Sequence, residues 1–257
     1  MPMTPRLEFA IQAVRAAGDS TLAHFRNRVG WELKGDSSPV TVADQEAEQL
    51  LRDALAQEFP GEAILGEEQG LTGEGTTRWI IDPIDGTKSF VSGVPLYATL
   101  LAYEVDGVPE LGVCYFPALG EILYAERGAG AFFNGEPCKV SERASVTGSI
   151  LACGGPLSMI KHKRWDGFAK LSETTLTSRT WSDAYGHALV ATGRVDAMLD
   201  PVVSRWDLSA IRMIIEEAGG KFSDFSGGDP FERGDFGLEA VSSNGLIHSE
   251  VLGHFSA

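Results

Sequence analysis

A short apolar run, Trp79-Ile80-Ile81, stops abruptly at Asp82-Pro83-Ile84-Asp85-Gly86-Thr87-Lys88-Ser89-Phe90. This junction constrains the fold more than any other stretch. β-Branched and aromatic residues in so short a run make a buried strand, and the Pro and Gly that follow end it in a turn. Asp82 and Asp85 stand three residues apart at the strand end, with Pro83 stiffening the link. Gly86 lets the backbone approach a ligand closely, and Thr87 can open a following helix. On residue types alone there are two readings. The stretch is an Asp-rich turn with a helix cap, or it is a place where two carboxylates and backbone N–H groups meet a hard metal ion and a phosphate.

The formal charge of −15 argues against nucleic acid or an anionic membrane as partner. It also sits badly with an anionic substrate, unless several carboxylates hold divalent cations that reverse the local sign. An acidic surface tolerates a substrate carrying an ammonium group. With 257 residues, 43% of them hydrophobic, the chain has ample core for one large domain or two small ones. No apolar run reaches the ~18 residues of a membrane span, and the N-terminus has no apolar leader segment. Cys114, Cys138 and Cys153 are odd in number and widely spaced. They match no zinc or redox pattern and read as reduced, buried thiols in the cytoplasm.

Residues 5–28 carry Leu7, Ile11, Val14, Ala17, Leu22 and Phe25 at helical spacing, an amphipathic structural helix. Trp31 to Val40 reads as a loop, with Lys34-Gly35-Asp36 as a candidate lid. A second helix starts at Val40–Asp44, buries Ala43, Ala47, Leu50, Leu51, Leu55 and Phe59, and stops at Pro60-Gly61. Thr41 and Asp44 have capping-box spacing. A strand over 62–66 leads into Gly66-Glu67-Glu68, and 71–77 reads as a loop. Strands over 97–105, 108–116, 121–127 and 131–133, with turns at Asp106-Gly107 and Asn134-Gly135, form an antiparallel meander.

From residue 149 the pattern alternates. Strands are expected over 149–153, 175–179 and 195–199, and helices over 158–171, 183–193 and 206–218, which makes an α/β region with a second sheet. The basic run Lys161-His162-Lys163-Arg164 reads as a solvated helix face. The chain thus reads as a single unit with an N-terminal α+β half, 1–148, and a C-terminal α/β half, 149–257.

Asp-Pro-Ile-Asp-Gly-Thr at 82–87 resembles the signature of the inositol monophosphatase-like family, magnesium-dependent phosphatases of small phosphate monoesters. Gly66-Glu67-Glu68, and Trp206-Asp207 with Glu217-Ala218-Gly219-Gly220, match the same family in order and spacing. The resemblance runs from about Leu7 to the end. Thr-Lys-Ser-Phe at 87–90 and Trp-Ser-Asp-Ala-Tyr at 181–185 are more similar to the histidinol-phosphate phosphatase branch.

The resemblance implies an α-β-α-β-α sandwich with the active site between its halves, two to three Mg²⁺ ions and a homodimer. Glu67, Asp82 and the Ile84 carbonyl hold one ion; Asp82, Asp85 and Asp207 hold another; Glu67 with water can hold a third. Glu68 stands behind these ligands. Thr87, paired with Asp44, helps take the proton from the attacking water, and the N–H groups of Gly86 and Thr87 bind phosphate. Asp200, seven residues before Asp207, and Asp183 would meet the substrate's organic part and could hold the ammonium group of histidinol. Asp183 is otherwise a helix N-cap. His187 reads as a core or edge histidine, and Arg179 and Arg194 could support the protein's own carboxylates.

Three functions follow. The first is hydrolysis of L-histidinol phosphate in histidine biosynthesis, favoured by Lys88, Ser89 and Asp183. The second is the same chemistry on inositol 1-phosphate or another sugar phosphate. A nucleotidase acting on a bisphosphate lacks the basic patch it needs. The third, a non-catalytic metal- or phosphate-binding regulator, would have lost a motif carboxylate, and none is missing.

Overall fold

The computed structural model describes residues 3–26, 30–33 and 39–255. Five layers follow from the alternation of side chains along each strand. Helices α1 (Pro5–Thr21) and α2 (Val42–Glu58) bury Leu7, Ala10, Val14 and Ala17, and Ala47, Leu51 and Leu55. They cover one face of an eight-stranded sheet, the face of Trp79, Ile81, Leu101, Val113 and Ile122.

That sheet comprises β3 (Ala63–Gly66), β4 (Gly70–Thr72), β5 (Thr77–Asp85), β6 (Ala98–Val105), β7 (Val108–Phe116), β8 (Glu121–Glu126), β9 (Gly130–Phe133) and β10 (Glu136–Cys138). Its order is β10-β9-β8-β7-β6-β5-β3-β4. A separate two-stranded sheet pairs β1 (Trp31–Leu33) with β2 (Pro39–Thr41). The opposite face of the large sheet, with Ile80, Leu100, Ala102, Cys114 and Leu123, packs on α6 (Asp183–Ala191) and α7 (Arg205–Glu217).

Beyond these helices lies a second sheet, order β12-β11-β13-β15-β14. Its strands are β11 (Ile150–Cys153), β12 (Thr177–Arg179), β13 (Ala197–Val203), β14 (Lys221–Ser223) and β15 (Leu238–Ser243). Its far face is closed by Met159 of α4 (Pro156–Lys161), Phe168 and Leu171 of α5 (Trp165–Ser172) and Val251 of α8 (His248–Gly253). This is the expected α-β-α-β-α sandwich. α3 (Thr87–Val91) is one short turn after β5. Among the described residues no helix is long and apolar enough to cross a membrane.

The meander forms as expected. Both central residues of the Asp106-Gly107 and Asn134-Gly135 turns have positive φ, which matches the right-handed twist of the strands they join. Other expectations change. The first helix stops at Thr21, and Leu22 is exposed. Leu50 faces solvent too, because the buried stripe of α2 is met through Glu48, Leu51 and Arg52 instead. The loops at 31–40 and 71–77 contain β1, β2 and part of β4. The proposed lid at Lys34–Asp36 lies outside the described residues.

The large sheet is mixed rather than a pure meander, since β3 runs parallel to β5. The helix at 158–171 is broken into α4 and α5 at Lys163, which adopts positive φ. The basic run therefore spans that break. Arg164 turns inward onto Glu239 at 2.7 Å and over the Phe225 ring. The strand expected at 195–199 shifts to 197–203.

Candidate active site

On a regular strand Asp82 and Asp85, three apart, would point to opposite faces. The structure solves this with a bulge. Asp82 pairs with Leu100 and Asp85 with Ala98, so three steps on β5 answer two on β6. One extra residue restores the phase. Both carboxylates therefore leave on the face of Leu100 and Ala98, towards α6 and α7. The Thr99 hydroxyl anchors the bulge by donating to the Pro83 carbonyl at 2.8 Å.

Asp207 arrives on the first turn of α7, where its Oδ2 accepts the Ser204 N–H at 2.6 Å. The preceding Arg205 is fixed by Glu104 of β6 at 2.9 Å and by Asp235. Glu104 is fully buried and also takes Arg78 and Ser209. This charge cluster ties the start of α7 to the large sheet. One oxygen from each of Asp82, Asp85 and Asp207 lies within 4.8 Å of the others.

Glu67 follows β3, and its N–H is held by the Ile81 carbonyl at 3.2 Å. Its charge is the strongest carboxylate influence on both Asp82 and Asp207. Burial first, then Glu67 for Asp82 and Asp207 and Asp183 for Asp85, raises Asp82 and Asp85 well above the usual carboxylate range and pushes Asp207 up to about 7. The charges that act most strongly on the three are other carboxylates. Such a group must hold protons or cations, and an all-oxygen donor set suits a hard divalent ion. The residues therefore fit Mg²⁺.

Around this cluster the other expected residues assemble. Gly86 is left-handed, φ 81°, and caps α3. A Cβ there would stand 3.1 Å from Asp183 Oδ2 and 3.2 Å from the Leu96 carbonyl. Asp44 is fully buried at the start of α2, with its Oδ2 accepting the Thr41 N–H at 2.8 Å and hydroxyl at 2.6 Å. The capping box is thus real. Ala43 beside it packs on Ile84. The expected Asp44–Thr87 pairing meets a competitor, because the Thr87 hydroxyl proton is given to the Ile84 carbonyl at 3.1 Å.

Asp183 is not the N-cap of α6. Ser182 holds that position, and the helix's N–H at Ala184 is taken by Asp85 from the other sheet at 2.7 Å. Asp183 itself sits at φ 60°, an uncommon conformation for a side-chain-bearing residue. Its carboxyl is pushed up to about 6 by burial and then by Asp200, with the Ser182 hydroxyl, Lys88 and His187 opposing. Asp200 on β13 is buried beside it. Arg179 and Arg194 do not support these carboxylates. Arg179 bonds Thr177 and the Ser178 carbonyl; Arg194 bonds Thr192 and lies over Phe133.

Glu48 is a residue that sequence reading passed over. Fully buried on α2, it accepts the N–H groups of Glu68 at 2.8 Å and Gln69 at 3.0 Å, and Arg52 Nε at 2.8 Å. Arg52 continues to the Gly70 carbonyl and the Thr72 hydroxyl. The pair braces the turn that carries Glu67. The only trace in the sequence is the i,i+4 spacing of Glu48 and Arg52, which ordinarily marks a solvent-exposed pair.

Comparison with known proteins gives a concordant result. The model of the inositol monophosphatase family matches residues 3–256. The chain is 41% identical over 253 residues to a histidinol-phosphatase of Chlorobaculum parvum, covering 97% of this chain and 96% of that one. It is 40% identical to a fructose-1,6-bisphosphatase/inositol-1-monophosphatase of Thermotoga maritima, covering 96% and 94%. A solved inositol monophosphatase structure from Thermotoga maritima superposes with a TM-score of 0.89 at 38% identity, covering 98% and 96%. The chain belongs to the inositol monophosphatase family, and with it to the phosphoric monoester hydrolases.

Proposed function

We propose that this protein is a Mg²⁺-dependent phosphatase that converts L-histidinol phosphate to L-histidinol and phosphate. The observation that carries the substrate is the juxtaposition of Asp183 and Asp200. A half-buried carboxylate, Asp183, and a buried one, Asp200, adjoin the metal-type cluster, and each is the other's neighbour. An inositol ring offers only hydroxyls to such a pair, whereas histidinol offers an ammonium that neutralises it. Histidinol-phosphatases among the relatives, at 41% and 40% identity, support the same reading. Three cysteines without a disulfide suit a cytoplasmic enzyme.

Glu67, Asp82, the Ile84 carbonyl, Asp85 and Asp207 would hold two to three Mg²⁺ ions. Bound divalent cations acidify water and stabilise charge on a leaving oxygen. The protein's own groups do the rest. The N–H groups of Gly86 and Thr87 receive the phosphate oxygens. Rotation of the Thr87 hydroxyl away from the Ile84 carbonyl lets Oγ1 pass a proton towards Asp44. Lys88 tempers the charge of Asp183, and Asp183 and Asp200 orient the organic part. A homodimer belongs to the same reading.

Asp183→Ala tests the substrate assignment. The variant should lose kcat/KM on L-histidinol phosphate by about tenfold or more, the worth of one charged hydrogen bond, and lose less on myo-inositol 1-phosphate. An equal loss on both substrates would leave Asp183 a structural residue and remove the basis for histidinol.

A further inference from the structure

His187 lies on α6 one turn after Asp183, and its side chain is 2% exposed. Its Nδ1 is 2.7 Å from the Ser242 hydroxyl on β15. Its Nε2 is buried, has no hydrogen-bond partner and points at Asp200 Oδ2 from 3.6 Å. That distance is beyond a hydrogen bond. A buried ring nitrogen left so is uncommon and calls for a reason.

The proton arrangement follows from the contacts. No second partner for the Ser242 hydroxyl is found among the described hydrogen bonds. If the imidazole carried its proton on Nδ1, the serine proton would be buried with nowhere to go. The arrangement that satisfies both has Ser242 donating to Nδ1 and Nε2–H facing Asp200.

We infer that His187 is a positioning residue that holds Asp200 turned to the substrate's ammonium group, and so sets preference for cationic phosphate esters. This rests on the proposed role of Asp200. Approach of the cation draws the carboxylate into line, and Nε2–H closes on Oδ2. The cluster Ser242–His187–Asp200 then spans α6, β13 and β15 and reaches the substrate only through its last member. Neither His187 nor Ser242 is among the groups assigned to the phosphate end of the site.

The test compares wild type, His187→Met, His187→Gln and Ser242→Ala on L-histidinol phosphate and on glycerol 2-phosphate, which has no cation. Met keeps the volume and removes the donor; Gln returns an N–H near the Nε2 position. The expected result for His187→Met is a KM for L-histidinol phosphate raised about tenfold. The kcat on that substrate should stay within about twofold, and the glycerol 2-phosphate KM should not follow. Gln restores most of the KM, and Ser242→Ala shifts it in the same direction by less. A loss shared equally by both substrates, a fall in kcat alone, or no rescue by Gln overturns the inference while leaving the substrate assignment intact. A wild type without preference for L-histidinol phosphate overturns the substrate assignment, and the role of His187 falls with it.

Discussion

The Asp85 carboxylate accepts the N–H of Ala184 at 2.7 Å, across 99 positions of chain. It caps α6 from the large sheet, so one side chain both completes the carboxylate cluster and fixes the helix that carries Asp183 and His187. Asp85→Asn keeps an acceptor for Ala184 but removes a charge that its neighbours oppose. The metal-free variant should melt at or above the wild-type temperature, lose at least about 100-fold in activity and gain little Tm from Mg²⁺. Asp85→Ala should in addition lose ~1–3 kcal/mol, the cost of an unpaired buried N–H. Melting curves with and without Mg²⁺, beside an activity assay, check both.

The raised carboxyls give a signed pH dependence. Burial and neighbouring carboxylates push Asp207 up to about 7 and Asp183 up to about 6 in the folded chain, against an ordinary 3.8. Between these values the folded state keeps protons that the unfolded state has released. Metal-free stability should therefore fall as pH rises from about 4 to about 7, as linkage requires. Mg²⁺ should reverse the trend, raising Tm more at about pH 8 than at about pH 5.5, where it must displace protons. Calorimetric melts at the two pH values, with chelator and with Mg²⁺, read this directly.

Glu48 is expected to act on metal binding through the Glu67 turn. Glu48→Ala leaves the Glu68 and Gln69 N–H groups and Arg52 without their shared acceptor. Breaking a buried charged pair costs about 3–5 kcal/mol, and direct titration should show weaker Mn²⁺ or Mg²⁺ binding. Glu48→Gln keeps an acceptor oxygen and should fall between. Gly66→Ala should reproduce the defect, because its Cβ would collide with the Glu48 carboxylate.

Gly86→Ala should cost ~1–3 kcal/mol, the strain of a left-handed residue at a functional turn. It should also displace Asp183, whose Oδ2 lies 3.1 Å from the new Cβ position. A kcat loss on every phosphate ester, with a further KM rise on L-histidinol phosphate, is the expected pattern in steady-state kinetics.

Much of this candidate site was legible because its residues sit inside short local patterns. Glu67, Asp82, Asp85, Gly86, Thr87 and Asp207 each occupy a strand end or a helix start that turn chemistry marks in the sequence. The meander was legible for the same reason, from Asp106-Gly107 and Asn134-Gly135. What the sequence hides is long-range. No local rule states that the bulge between Asp82 and Asp85 pairs with Ala98 and Leu100, or that Asp85, rather than Asp183, caps α6. The parallel pairing of β3 with β5 is a tertiary choice, as is the burial of Glu48 and Glu104 among arginines. The break at Lys163 went unseen because the helical pattern continues on both sides of it.

The central claim is best tested by phosphate release from metal-stripped protein with Mg²⁺ added back, comparing kcat/KM on L-histidinol phosphate and myo-inositol 1-phosphate. The account predicts no turnover with chelator, recovery with Mg²⁺, and a preference for L-histidinol phosphate of at least about tenfold. Equal or reversed preference would contradict the substrate assignment, and turnover undiminished by chelation would contradict the role given to the Asp82–Asp85–Asp207 cluster.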